Sequence, residues 1–484
     1  MKRMSPLDAA WLYVDTVDTP MHVGSLTIFS LPPKAPEHFL RDMVAQLREV
    51  QTCAAPFNLK LRSARLKGVV PSWVEDDEID LDYHFRHSAL PQPGGERELG
   101  VLVSRLHSHP MDFNRPLWEM HVIEGLEHGR FALYMKMHHS LVDGVGGMRI
   151  LQRILSDDPN DPHLLPPWAV GSGGRPRGAG GSPSLGQLQR LISTVRQQAA
   201  TVPGVSRAFV EVLREAVRQN LQSWALPFAG PKSVLNDKVS GQRRFATQHY
   251  ALDRIRAVAK GAGVTVNDVF LGLCSAAMRH YLLDLDALPE KSLTAGVPVS
   301  VRPADDGESA NAISFIIARL NTDIADPIER LHAIHESALI AKEHLQKLPK
   351  ADISNYTMIF MAPFILQLIA GLGGRARPMF NVTISNVPGP DRPLYYNGAR
   401  LEQMYPVSLL SHGQALNITV VSYNGQFNVG FTGCRDTLPS MQRLAVYMGD
   451  ALDELEAVLG LNSAPEQQRT KAPAKKRSKR SATV

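Results

Sequence analysis

Apolar and polar residues alternate through Met21–Ser30, which predicts a strand. The next segment, APEHFLRDMVAQLREV, begins near Pro36 and carries Phe39, Met43 and Leu47 at helical spacing, which predicts a helix with those three inward. Trp118–Ile123 and Phe131–Met137 read as two strands of a hairpin-like pair, separated by Gly125–Arg130 and ending at His138. Val145–Ile154 then returns to a helical period.

Past this point the pattern breaks. Gly171–Gly181 reads GSGGRPRGAGG, with six glycines, and is followed by Ser-Pro-Ser, the composition of a flexible connector. Leu185–Trp224 predicts two amphipathic helices broken near Pro203, and Arg243–Leu252 a strand. A helix at Val266–Leu283, strands at Leu293–Val301 and Ala312–Leu320, and a long helix at Pro327–Leu345 follow. Strand-like runs at Phe380–Ser385, Ala415–Tyr423 and Phe427–Thr432 precede a last helix at Pro439–Leu459. Sheet and helix mix without regular βαβ alternation, so the expected class is α+β. The expected division is 1–170, a connector with crossover helices at 171–240, 241–462, and a disordered basic tail at 463–484.

Composition narrows this little. With 484 residues, 44% of them hydrophobic and 20% charged, the chain can bury extensive cores in two or more domains. The net charge of +5 is misleading, because Arg469, Lys471, Lys475, Lys476, Arg477, Lys479 and Arg480 carry seven positive charges in the tail and the body without them falls to −2. A near-neutral body argues against nucleic acid as a partner, while the tail reads as a solubilising end or as a contact for an anionic lipid surface or nucleic acid. Cys53, Cys274 and Cys434 are too dispersed for a metal pair or a disulfide framework, which suggests a reducing compartment. Asp8 interrupts the start before any signal-type apolar run, so cytoplasmic residence is expected. Ile353–Gly374 carries acidic Asp352 only as its neighbour and is itself charge-free up to Gly374; Pro363 and Gln367 within it favour a buried or lipid-docking helix over a span.

The stretch with chemistry is His138-His139-Ser140-Leu141-Val142-Asp143-Gly144, between a strand end and a helix start. A neutral imidazole with a pKa of about 6.5 can take a proton from an alcohol or amine near neutral pH. Asp143 would fix the turn, and Gly144 would permit a backbone shape closed to other residues. The plainer alternative is that one or both histidines are hydrogen-bonded structural groups. A metal reading rests on His107, His109, His121, His138 and His139, without a His-Glu-x-x-His helix or a Cys pair to support it. The chain also lacks a Gly-x-Ser-x-Gly elbow, a Walker loop and a Rossmann fingerprint, since Gly371–Ala376 follows a helical run and does not open one.

His138–Gly144 resembles the HHxxxDG motif of the CoA-dependent acyltransferase superfamily, which includes chloramphenicol acetyltransferase and peptide-synthetase condensation domains. Pro116-Leu117-Trp118, Asn267-Asp268 and Asn386-Val387-Pro388 follow in the order of the bacterial wax ester synthase/diacylglycerol acyltransferase family, and the resemblance runs from the opening SPLDAAWLYVDTVDTPMHVG to Leu461. It implies two chloramphenicol-acetyltransferase-like domains of mixed sheet and helix, joined by a crossover, with the active site at their interface and a tunnel from each side.

The resemblance further implies an acyl-CoA-dependent enzyme that esterifies long-chain fatty alcohols and diacylglycerol, with fatty acyl-CoA as co-substrate, no bound cofactor, no metal, and residence at a membrane or lipid-droplet surface. His139 is then the general base beside His138. Asp143 is a structural carboxylate paired with a basic residue, for which Arg302 is the candidate. Asn267 is either the oxyanion donor or, as a residue type favoured there, part of a helix cap. Pro116, Leu117 and Trp118 are expected to pack the pocket wall, Asp268 to bind substrate or shape the pocket beside Asn267, and Asn386, Val387 and Pro388 to shape a turn after a strand with Asn386 near the cleft. The rival readings are a condensation-like enzyme with a carrier-protein donor, a metal-dependent hydrolase on the histidine cluster, and a silent lipid-coat protein.

Overall fold

The computed structural model describes residues 2–4, 6–67, 71–161, 163–171, 227–300, 313–347, 364, 367–368 and 371–461. The expected connector helices at Leu185–Trp224, Arg302, most of the charge-free run Ile353–Gly374 and the basic tail lie outside these residues.

In chain order the strands are β1 (Lys2–Arg3), β2 (His22–Ser30), β3 (Leu59–Leu61), β4 (Ser72–Glu75), β5 (Phe85–Ala89), β6 (Trp118–Leu126), β7 (Arg130–His138), β8 (Arg243–Ala251), β9 (Thr294–Ser300), β10 (Ile313–Arg319), β11 (Val382–Pro388), β12 (Tyr395–Tyr396), β13 (Ala399–Val407), β14 (Leu416–Tyr423) and β15 (Gln426–Cys434). They form one six-stranded sheet ordered β12-β13-β2-β7-β6-β5, a second ordered β10-β9-β11-β14-β15-β8, and a small sheet β1-β4-β3. Parallel pairs (β5–β6, β9–β11, β11–β14) occur beside antiparallel ones, as the α+β reading expects.

Sequence alternation finds β2, β6, β7 and β8 to within a few residues, but it gives no sign of β13. That strand reads ARLEQMYPV, with Pro406 near its end and a register shift between Leu401 and Gln403. A bulge breaks the period-2 signal, and proline is tolerated because β12 covers only Ala399 and Arg400 on that side. Through β13 the first sheet is completed by residues that follow most of the second sheet in sequence.

The sheets are held against each other at two places. Helix Glu96–Ser108 lies between them, with Leu99 and Val103 in a core shared with Ile123, Tyr134, Phe245 and Tyr405. Its Ser104 and Ser108 hydroxyls accept the Phe245 and Arg243 backbone N–H groups at 2.9 and 2.8 Å, satisfying the exposed side of β8. The second place is the crossing of β13 over β15, where a Cβ on Gly430 would run into the Pro406 carbonyl. Helix Val266–Asp284 is apolar on most of its circumference because the second core surrounds it, from Val269 to Met278 and on to Leu282. Among the described residues no single helix is long and apolar enough to cross a membrane.

Candidate functional site

β7 ends at His138, and the chain turns through Ser140 into helix Gly144–Ile154. The two histidines point into different surroundings. His138 is buried opposite His22 of β2. Its Nδ1 accepts the Ser140 N–H at 3.1 Å and lies 2.6 Å from the Ser140 hydroxyl, so its proton belongs on Nε2, which sits 3.5 Å from Asp15 Oδ2. Burial pushes the His138 imidazole below its ordinary range, against the pull of Asp15. Burial would raise Asp15, but His138 and Lys67 outweigh it and hold the carboxyl low. His138 is therefore an enclosed imidazole that burial keeps neutral beside an ionised carboxylate.

His139 is half-buried, and its backbone N–H donates to the Met21 carbonyl at 2.8 Å. Its ring lies 4.3 Å from the Trp11 ring at an interplanar angle of 31°. An imidazole held this way, on a turn, can meet a substrate that its buried neighbour cannot.

Asp143 is the N-cap of the following helix, accepting the Gly146 N–H at 2.8 Å. The expectation for Gly144 is corrected. It is absent from the positive-φ residues, and a Cβ there would meet open space, so its backbone does not demand glycine. It is simply the first residue of the helix, where φ is ordinary.

Pro116, Leu117 and Trp118 are buried, and they hold the turn from below. The His138 N–H donates to the Leu117 carbonyl at 3.0 Å. Trp118 stacks on His84 at 4.5 Å and on Trp168 at 5.8 Å, while its Nε1–H donates to the Phe57 carbonyl at 2.8 Å. The triplet is thus core structure that fixes the height of the histidine pair.

Asn267 and Asp268 open helix Val266–Asp284, but the cap is Thr265. Its hydroxyl accepts the Asp268 N–H at 3.2 Å, and Asp268 Oδ2 accepts the Thr265 N–H at 3.0 Å, a capping box without Asn267. Asp268 also meets His335 Nδ1 at 2.7 Å, which ties the motif to helix Pro327–Lys347. Asn267 is half-buried in that first turn. The turn expected at Asn386-Val387-Pro388 is also corrected, because these residues are the last three of β11, paired with Val420, Val421 and Ser422 of β14. A flanking Gly389-Pro390 made the triplet look like a turn, but the parallel ladder continues through it. Val387 packs on the core that contains Trp118, and Asn386 is exposed.

Of the other histidines, His107 is buried, with Nδ1 2.7 Å from the Tyr134 hydroxyl and Nε2 3.1 Å from the Ser408 carbonyl. Burial, with Lys136 and Arg243 nearby, brings it down to about 3. His121 faces Glu119 at 3.7 Å. Among the described residues no group of three or more His, Cys, Asp or Glu could hold a metal ion. Sequence reasoning missed Trp11, Asp15 and Lys67, which surround the histidine turn. For Trp11 and Asp15 the available signal was their place in the opening segment that shared in the family resemblance, without a motif of its own; Lys67 lies outside that segment.

Two family models cover most of the chain: the wax ester synthase/diacylglycerol acyltransferase catalytic domain matches residues 4–270, and the WS/DGAT C-terminal domain matches residues 309–456. The O-acyltransferase WSD of Acinetobacter baylyi is 40% identical over 460 residues, covering 95% of this chain and 98% of that one. A Mycobacterium tuberculosis chain that bears a diacylglycerol O-acyltransferase name is 44% identical over 487 residues, with 95% and 98% covered. The solved wax ester synthase/diacylglycerol acyltransferase from Marinobacter aquaeolei VT8 superposes with a TM-score of 0.78 at 42% identity, covering 95% of this chain and all of that one. The first condensation domain of the CDA synthetase matches at a TM-score of 0.52 and 15% identity, with 96% of each covered, which is a likeness of fold.

Proposed function

Because this chain belongs to the wax ester synthase/diacylglycerol acyltransferase family, we propose that it transfers fatty acyl groups from acyl-CoA to long-chain alcohols and to the free hydroxyl of diacylglycerol. The observation that carries the reading is the division of labour on one turn: His138 is enclosed and neutral, while His139 beside it is half-exposed. His139 takes the hydroxyl proton as the oxygen attacks the thioester carbonyl. The tetrahedral intermediate then expels the CoA sulfur, which receives the proton from the imidazolium, so ester and free CoA leave and the imidazole returns neutral. No acyl-enzyme and no metal enter this sequence. Asn267 is our candidate donor to the oxyanion, because the capping box leaves its side chain unused. Asp143 caps the helix after the turn, Asp268 anchors the second helix, Pro116, Leu117 and Trp118 hold the histidine turn from the core, and Asn386, Val387 and Pro388 shape the pocket. The substrates are lipids, so the enzyme works at a membrane or lipid-inclusion surface on the cytoplasmic side.

The test is CoA thiol release from palmitoyl-CoA with and without hexadecanol or diacylglycerol, in chelator, with ester identified by chromatography. Release should require the acceptor, survive chelator, and fall by roughly 10²-fold or more in His139→Ala. Release without acceptor would make the protein a thioesterase, and loss in chelator would restore the metal reading.

A further inference from the structure

The N-terminal helix Pro6–Val14 holds none of the four motifs, yet it lies on the candidate base. The Trp11 ring lies against the His139 ring, with centroids 4.3 Å apart and the planes tilted by 31°. The helix is anchored from its other side, where Ala9 and Leu12 are buried with Leu59, Leu61, Trp73 and Leu117. Leu117 is the residue whose carbonyl takes the His138 N–H, so helix and histidine turn share one support.

One residue beyond the helix, Asp15 reaches His139 by a second route. Its Oδ2 accepts the Met21 N–H at 2.8 Å, and the Met21 carbonyl accepts the His139 N–H at 2.8 Å. Lys67 Nζ donates to Asp15 Oδ1 at 2.8 Å and lies 3.8 Å over the Phe113 ring, which holds the carboxylate in place. The same short segment therefore restrains the ring of His139 and, independently, its backbone.

We propose that Trp11 and Asp15 are positioning residues for His139: Trp11 sets the plane of the imidazole, and Asp15, through Met21, sets the depth of the backbone that carries it. The inference rests on the reading of His139 as the base. A general base must lie within hydrogen-bond reach of the proton it removes, and a displacement of about 1 Å can cost about 10²-fold in rate. The indole face also favours the imidazolium that forms as the proton is taken. Both effects belong to the transition state more than to substrate binding, so their loss falls on kcat.

The experiment compares full-length wild type with Trp11→Leu, Trp11→Phe, Asp15→Asn and His139→Ala in transfer from palmitoyl-CoA to hexadecanol, with thermal midpoints measured alongside. Trp11→Leu is expected to lose about 10-fold or more in kcat with both KM values within about 2-fold, Trp11→Phe to recover most of that loss, and Asp15→Asn to lose kcat as well. Equal kcat in Trp11→Leu and Trp11→Phe, or a loss carried by KM, would overturn the proposal and leave Trp11 as pocket wall. Inactive His139→Ala with wild-type kcat in Trp11→Leu would overturn the positioning role alone. Full activity in His139→Ala would overturn the base assignment and the positioning role together.

Discussion

Glu119 of β6 and Lys136 of β7 are register partners whose carboxylate oxygen and ammonium lie 3.2 Å apart, with Lys136 wholly removed from solvent. The ammonium also donates to the Leu106 and His109 carbonyls, each at 3.0 Å, where helix Glu96–Ser108 ends. A cation at that end meets the negative pole of the helix dipole as well as the carboxylate.

Breaking this pair should cost more than removing it. Lys136→Met alone leaves the Glu119 charge buried, and we expect a loss of about 3–5 kcal/mol. Adding Glu119→Gln should return part of it. Urea denaturation of the single and double variants checks this, and a double variant no more stable than Lys136→Met would refute it.

Acid should weaken the fold first through histidine. His107 titrates near pH 3 when folded because it is buried, whereas the unfolded chain takes that proton from about pH 6.5 downward. Its contribution is complete above about pH 6.5 and declines by about 1.4 kcal/mol per pH unit below it, or about 2 kcal/mol at pH 5. Glu119 acts lower: burial would raise it, but His121 and Lys136 hold it at about 2, so its contribution is kept above about pH 4.5 and lost toward pH 2. Between pH 7 and 5 the urea midpoint of His107→Gln should therefore depend less on pH than that of the wild type.

Asp143 can be tested as a cap. Asn caps as well as Asp, so Asp143→Asn should keep the cap's share of stability, whereas Asp143→Ala should lose about 1 kcal/mol more and reduce activity by loosening the histidine turn. Equal losses in thermal midpoint would mean that the carboxylate charge is required, as the sequence had suggested.

The crossing of β13 over β15 depends on Gly430. A methyl group there forces the Pro406 carbonyl away, and Gly430→Ala should cost about 1–3 kcal/mol and lower acyl transfer. Circular dichroism should change little, because the displacement lies between sheets and not within one.

The histidine turn, its strand and its helix were legible because local signals agree there: a strand-like run ending at His138, an acidic residue fit to fix the turn at Asp143, and a helical period after it. The supports of that turn were not. Trp11, Asp15 and Lys67 come together only through tertiary packing, and nothing in a helix such as PLDAAWLYV says which ring its tryptophan will cover. Asn386-Val387-Pro388 misled for a related reason, since proline is a turn signal locally and an acceptable strand end when the ladder leaves room for it. Gly144 was credited with a strained backbone on residue type alone, and the helix start needs none.

Finally, Arg400 pairs with Ser30 and Val407 with Gly24, so the outer flank of β2 finds its neighbour only from the far end of the chain. As the protein is synthesised, β2 can join β7 once His138 has emerged, but its other edge stays open until Val407 is made. Closing so long a loop is slow, and an open strand edge invites pairing with a second nascent copy. A chain truncated before Ala399 would retain the histidine turn but leave that edge of β2 unpaired, and it is expected to aggregate.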